Sequence, residues 1–293
     1  MLALLSQTTV SGPSLADLVL TARLCRFAAT FWGNLPLTQA RHGKGPMMSK
    51  GLRYTFYACM ILLVLPRIMR AQDFQRTYSI GAGGHIKIGN VSGDVKVTGY
   101  GGDSISVAGF TEGPDRNMIR IEDTSSPDNL ELRVRYPESG NCNASVRFEI
   151  RVPKSIEYNF ERVSSVSGDV EIKDVTGRIR ANSVSGNVDV RNVTGIVSAN
   201  SVSGNVSAEI AKLQGSGEMK FSTVSGNVDV KAPADLDASI EMSTLSGSLT
   251  TDFPIEIVER RYGPGRSAHG RLGSGLYSLR LTTISGHVNL YRR

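Results

Sequence analysis

Along most of the chain, apolar residues alternate with polar ones in short runs: Ile86/Ile88, Val95/Val97, Ile105/Val107, Ile119/Ile121, Leu130/Leu132/Val134 and Phe148/Ile150. Gly, Asn, Asp, Ser or Pro bounds each run. A period of two with such boundaries predicts half-buried β-strands, and no helical period competes with it beyond residue 71. The class expected is all-β.

From Val163 a second period is laid over the first. Ser-Gly pairs end at Gly168, Gly186 and Gly204, 18 residues apart, and Thr-Gly pairs at Gly177 and Gly195 fall midway. Later Ser-Gly pairs end at Gly226, Gly247 and Gly286, and an earlier copy carries Gly93. Aligned on these glycines, Val184, Val202, Val224, Leu245 and Ile284 form one apolar column and Val188, Val206, Val228, Leu249 and Val288 another. On the other half-turn, Ile179/Ala181 match Val197/Ala199, Met219/Phe221, Ile240/Met242 and Leu279/Leu281. Like residues at like positions predict coils stacked in register, at the strand spacing of about 4.8 Å. The fold expected is a right-handed parallel β-solenoid of about 18-residue coils over 163–293, with a strand-rich N-terminal portion over 72–162. The nine glycines read as corner residues free to take positive φ, and Asp169, Asn187, Asn205 and Asn227 as their corner partners. A lone coil, burying Val188, Val190, Val193, Val197 and Val202, cannot offset the cost of ordering its own backbone, so the motif has to recur. Two departures stand out: "AKLQGSGEM" adds four residues at a corner expected to bulge outward, and 252–274 interrupts the repeats with a loop insertion. The coil that ends at Arg293 is expected to leave a solenoid end open for self-association.

Charge changes the picture mainly at the N-terminus. The chain of 293 residues has a net charge of +6, from 33 basic and 27 acidic residues. Residues 1–71 hold eight of the basic residues and one acid, Asp17, which leaves 25 basic and 26 acidic, a net of −1, for 72–293. The repeats therefore carry no nucleic-acid stripe. Residues 47–71, with Lys50 and Arg53 before the apolar run Tyr54–Leu65 and Ala71 before Gln72, read as a signal peptide. The run is too short to span a bilayer. Export to the periplasm, cell surface or medium follows, with retention by an uncleaved N-terminal anchor as the alternative. Residues 1–46 read as a non-native or disordered extension. Of Cys25, Cys59 and Cys142, only Cys142 lies beyond the leader, so no internal disulfide forms and no zinc spacing exists.

The segment "VRFEIRVPKSIEYNFERVSSVSGDVEI", followed by repeated V-S-G-[DN]-V, resembles the bacterial "putative adhesin" family of β-strand-repeat domains of unknown function. "HIKIGNVSGDVKVTGYGGDSISV" resembles that family's usual opening, and the likeness spans roughly 78–293. It implies an exported, envelope-associated β-solenoid and supplies no catalytic residues.

Catalytic chemistry finds little purchase. Asp169, Glu171, Asp189 and Asp229 could in principle pair as acid and base, but Asn205, Ser207 and Asn227 replace them in neighbouring repeats. The corners lack the regular aspartates of a calcium cage, and His287 occupies a corner position. Sequons at Asn90, Asn143, Asn192 and Asn205 overlap the corner motifs in two cases. The insertion is the densest candidate: Arg260, Arg261, Arg266 and Arg271 surround Tyr262 and His269 on a glycine-rich loop that could hold an anionic glycan or a protein partner. The function expected is a non-enzymatic cell-envelope structural or adhesin-like binding module without cofactor. The alternatives are a self-assembling envelope scaffold and a β-helix polysaccharide-active enzyme.

Overall fold

A computed structural model describes residues 74–138, 141–259 and 265–293, with backbone only at Val258 and Glu259. The leader and the 1–46 extension lie outside the described residues. The N-terminal strands are β1 (Phe74–Tyr78), β2 (His85–Gly89), β3 (Val95–Tyr100), β4 (Ile105–Glu112), β5 (Arg120–Asp123), β6 (Asn129–Arg135) and β7 (Ser145–Pro153). The repeats supply β8 (Glu157–Ser167), β9 (Val170–Lys173), β10 (Thr176–Ser185), β11 (Val188–Asn200), β12 (Val206–Lys212), β13 (Glu218–Ser225) and β14 (Val228–Ala232). Then come β15 (Ala238–Ser246), β16 (Leu249–Thr251), β17 (Glu256–Glu259), β18 (Arg266–Arg271), β19 (Tyr277–Ser285) and β20 (Val288–Arg292).

All twenty strands join one sheet, wound as a parallel β-solenoid with two faces. Thr176 pairs with Thr194 and Val188 with Val206, the 18-residue step that the sequence foretells. The stack does not begin at 163. Strand β2 lies parallel between β6 and β8, and β3 lies parallel between β7 and β9, so the N-terminal strands are rungs of the same solenoid.

Spatial order departs from chain order at both ends. The rung β2–β3 sits inside the rung β6–β7, and the last rung, β19–β20, lies between β13–β14 and β15–β16. The end expected after Arg293 is therefore interior, and Leu290 is fully buried. Antiparallel strands cover the true ends: β5 on β6, β4 on β7 and β1 on β4 below, and β18 on β15 with β17 beyond it above. The outermost strands are then the short β1, β5, β16 and β17, each paired on one side only among the described residues.

The corner glycines stack in two columns. A Cβ built on Gly168, Gly186, Gly204, Gly226, Gly286 or Gly247 would stand 1.9–2.3 Å from the carbonyl oxygen of the glycine one rung away, and one on Gly93 would meet the Val146 oxygen at 2.4 Å. At the Thr-Gly corner, Gly195 rests on Gly177 and Gly177 on Tyr158 in the same way. Eight of the nine take positive φ; Gly186 does not, so close backbone approach is the requirement common to all.

A polar ladder runs beside the glycines through an otherwise aliphatic core. Ser165, Ser183, Ser201, Thr223, Thr283 and Thr244 each donate a hydroxyl to the glycine carbonyl of the adjoining rung, at 2.8–3.0 Å. Asn90 closes the lower end by donating Nδ2 to the Gly93 and Val146 oxygens, 2.7 Å each. These seven are all the buried polar residues among those described. Asn90 is thus a core residue, its side chain enclosed although Val91 beside it is exposed. Outside the glycines, a second ladder passes from Asp94 through Asp169, Asn187, Asn205 and Asn227 to His287, each Asp or Asn side chain accepting the backbone N–H of the next residue along it at 2.7–2.9 Å.

One expectation needs correction. Val202, counted above as core, is 47% exposed, and Val184, Val224, Leu245 and Ile284 are similarly open. Strand alternation turns Ser183 and its equivalents inward to the glycine carbonyls, which leaves the next residue facing solvent. Central rungs offer a measurable contrast. Gly204→Ala should cost about 2 kcal/mol or more, because backbone has to move to admit the Cβ. Ser201→Ala should cost about 1 kcal/mol, the net worth of one hydrogen bond. Urea unfolding followed by circular dichroism measures both, and equal midpoints for Gly204→Ala and the parent would mean that the column tolerates a side chain.

Candidate functional site

The face formed by β6, β2, β8, β10, the end of β11, β13, β19 and β15 carries a groove of about 590 Å³ near its lower end. Lys87, Arg133, Arg162, Arg178 and Arg180 line it together with Glu131 and Glu161. Four strands deliver these side chains, and the stacking order makes them neighbours. Lys87 on β2 pairs in register with Glu131 on β6 and Arg162 on β8, and β10 lies against the other edge of β8.

A β-bulge sharpens the arrangement. The register of β8 slips between Phe160 and Val163 against both β2 and β10, so one residue is extra on β8. Phe160 and Val163 stay buried, and both Glu161 and Arg162 face out. Bulges of this kind re-aim a side chain beside a site. Lys87 Nζ lies 2.9 Å from one Glu161 oxygen and His85 Nδ1 2.6 Å from the other. The hydrogen bond from Lys87, helped by His85, holds the Glu161 carboxyl below the usual carboxylate range. Arg133 pairs with Glu131, and Arg178 donates to the Ser216 carbonyl at 3.1 Å. Arg162 and Arg180 have no hydrogen bond or ion pair with any described residue.

The corner expected to bulge outward is exposed from Gln214 to Glu218 and, through the Ser216 contact, also leans towards the groove. The added residues fold back along the stack: Gln214 reaches Glu157, and Leu213 packs against the core.

The second face, built from β7, β3, β9, the start of β11, β12, β14, β20 and β16, holds a groove of about 530 Å³ lined by five carboxylates. Glu171 takes Lys96 at 3.0 Å and Lys173; Asp189 takes Arg191; and Glu149 takes Arg147. Asp94 and Asp169 accept backbone N–H groups of the corner ladder, and Asp229 accepts Nδ2 of Asn289 at 2.7 Å. The carboxylates that an acid–base pair would require are thus engaged: Asp94, Asp169, Asp229 and, through Lys96, Glu171 tie neighbouring rungs together, and Asp189 and Glu149 are held by arginines of their own strands. Among the described residues no three His, Cys, Asp or Glu groups gather where they could hold a metal ion.

The Toastrack DUF4097 family model matches residues 33–291. The chain belongs to that family. No curated protein matches it. A solved "putative cell adhesion protein" from Clostridium sporogenes is 13% identical, covering 75% of this chain and 99% of its own, with a TM-score of 0.43. A "putative adhesin" from Bacteroides fragilis is 16% identical, covering 74% and 96%, with a TM-score of 0.37.

In this Toastrack chain three of the six insertion residues are described. Arg260, Arg261 and Tyr262 lie outside the described residues. Arg266, His269 and Arg271 sit on β18, where Arg266 donates to the Gly247 carbonyl at 3.2 Å. His269 is exposed and lies in register between Glu241 of β15 and Glu256 of β17, while Arg271, also exposed, stands opposite Ser239. The segment expected as a loop is largely a hairpin that caps the edge of β15. Sequence reading missed the groove because its cations come from positions as far apart as Lys87 and Arg180, and only the interleaved rung order joins them.

The engaged carboxylates give a pH test. Glu171 titrates below its ordinary range, held there by the Lys173 hydrogen bond and by Lys96 against the opposing effect of burial. Its folded pKa lies below the unfolded value of about 4.3, so its stabilisation is complete above that value and disappears as pH falls through the folded one. Glu171→Gln should lower stability by up to about 1 kcal/mol at pH 7, and the difference should shrink as acid takes the parent through the folded-state titration of Glu171. Urea midpoints at several pH values check this.

Proposed function

We propose that this Toastrack protein is an exported, non-enzymatic binding module of the cell envelope, adhesin-like in role, and that its groove holds an anionic envelope glycan. The observation that carries the reading is the pair Arg162 and Arg180, on adjoining strands and without an ion pair or hydrogen bond among the described residues, set among three further cations on successive rungs. Like charges placed side by side across a sheet destabilise it. Such a cluster is favoured once a carboxylate or sulfate bridges it, and arginine presents paired N–H donors suited to both. The groove runs open along a β face, which suits a stretch of polymer better than a small molecule enclosed in a pocket. Export rests on the leader at 47–71, with its basic start and short apolar run. Engagement of the second-face carboxylates in ion pairs and ladders favours holding a polysaccharide over cutting it.

Polygalacturonate and dextran sulfate, with neutral dextran as control, are the probes. Both anionic polymers should bind, with affinity that falls as salt rises. Arg162→Ala/Arg180→Ala should weaken binding about tenfold or more, given roughly 1.5–3 kcal/mol for a hydrogen bond to a charged group. His269→Ala/Arg271→Ala should leave it unchanged. Deleting the insertion is the wrong control, because it would uncover the edge of β15. Equal binding by parent and Arg162→Ala/Arg180→Ala, measured by calorimetry, would sink the groove as the site.

A further inference from the structure

Ten large apolar side chains are exposed among the described residues, and seven of them form one straight column. In spatial order they are Val91, Val166, Val184, Val202, Val224, Ile284 and Leu245, each 41–48% exposed, one on each of seven successive rungs. Scattered surface aliphatics are ordinary, but a continuous apolar stripe marks an interface. At about 4.8 Å per rung, six steps make it about 29 Å long.

We propose that this stripe is the contact between two copies of the chain, packed antiparallel about a two-fold axis through Val202. Three observations support a second copy packed in this way. The first is period: a partner that meets every rung has to repeat every rung, and the same stripe does. A two-fold axis at the fourth position sets Val202 against Val202 of the second copy, Val184 against Val224, Val166 against Ile284 and Val91 against Leu245. Such self-matching is the signature of an isologous contact.

The second is charge. The column next to the stripe is serine on every rung: Ser92, Ser167, Ser185, Ser203, Ser225, Ser285 and Ser246. Beyond the glycines lie Asp94, Asp169, Asn187, Asn205, Asn227, His287 and Ser248, so formal carboxylates occur only at the lower end. An antiparallel two-fold keeps this column facing its own counterpart in reverse order, which sets Asp169 opposite His287 and Asp94 opposite Ser248, so no two carboxylates meet across the axis.

The third is extent. Seven rungs with these three columns offer 21 residues a side, within the roughly 20–30 of a standard interface. The stripe runs along the side of the stack, apart from the antiparallel strands that lie over the solenoid ends. The stripe and the cationic groove are formed by different residues.

Light scattering across a concentration series should show a monomer–dimer equilibrium. Val184→Lys/Val224→Lys places ammonium groups against one another across the axis and should weaken dimerisation at least about tenfold, with the unfolding midpoint unchanged. Cysteine cross-linking, with Cys25, Cys59 and Cys142 replaced by serine, keeps the proposal testable should that variant misfold. Val202→Cys should couple to itself on oxidation. Val91→Cys should fail to couple to itself and should couple to Leu245→Cys in a mixture. Arg162→Ala/Arg180→Ala should remain dimeric, which separates this result from the fate of the glycan reading. A monomer at every concentration, self-coupling of Val91→Cys as efficient as that of Val202→Cys, or a monomer that binds phosphatidylcholine vesicles through the same valines would overturn the proposal.

Discussion

The structure depends on a backbone contact that admits no side chain. At the Ser-Gly corner each glycine lies so close to its neighbour that a Cβ would stand 1.9–2.4 Å from a carbonyl oxygen. That separation sets rung height and register together. It brings the hydroxyl three residues before each glycine within 2.8–3.0 Å of the next carbonyl, and it aligns the Asx ladder outside the corner. A single methyl group at the contact would lift the rung and lengthen both ladders at once. The three interactions are therefore coupled, and the strength of the corner exceeds what any one hydrogen bond supplies.

Because register is fixed at the corner and not by chain order, any rung with the motif fits any slot. Gly286 rests on Gly226 and Gly247 on Gly286, although Gly247 precedes Gly286 in the chain. This interchangeability permits the swap at both ends, where β2–β3 and β19–β20 lie inside rungs that are their neighbours in sequence but not in order. The benefit is at the edges. Each outermost rung has a following or preceding segment free to fold over it antiparallel, which a strictly sequential coil would lack. The cost is kinetic: β13 finds β19 only after the β15–β18 segment has been made, a long-range pairing that slows folding.

Legibility in the sequence followed the same division. The class, the 18-residue step and the corner glycines could be read because like residues recur wherever the core requires them. Val184 and its equivalents misled by their chemistry: counting by two from Ile179 and Ala181 puts Ser183 inside and Val184 outside, yet valine reads as core and serine as surface. Parity was the better guide, and it failed to persuade only because buried hydroxyls need a partner that the sequence does not display, the glycine carbonyl of another rung. The rung swaps left no trace, since a motif that fits every slot names none. The cationic groove was hidden for that reason, as Lys87 and Arg162 become neighbours only when β2 inserts beside β8.

What differs from rung to rung lies outside. Inside, the positions two residues beyond the Ser-Gly corner glycines are all valine or leucine, fully or almost fully buried, and the hydroxyl ladder changes only between serine and threonine. Outward positions range from Arg180 to Ser198 to Lys220 on one face and from Glu171 to Ser207 on the other. A solenoid of this kind fixes its outer side chains on a lattice of about 4.8 Å, so recognition is composed by placing unlike residues on like rungs. On the second face opposite charges were placed side by side and neutralise one another; on the first, cations were gathered at the lower rungs and two were left unanswered. The aliphatic stripe is the opposite choice, one residue kind held constant on a surface free to vary. Constancy there has no origin in the corner contact, since the Cβ that the column forbids belongs to the glycine two residues on. A surface that is uniform where packing does not demand it points to a partner that is equally uniform.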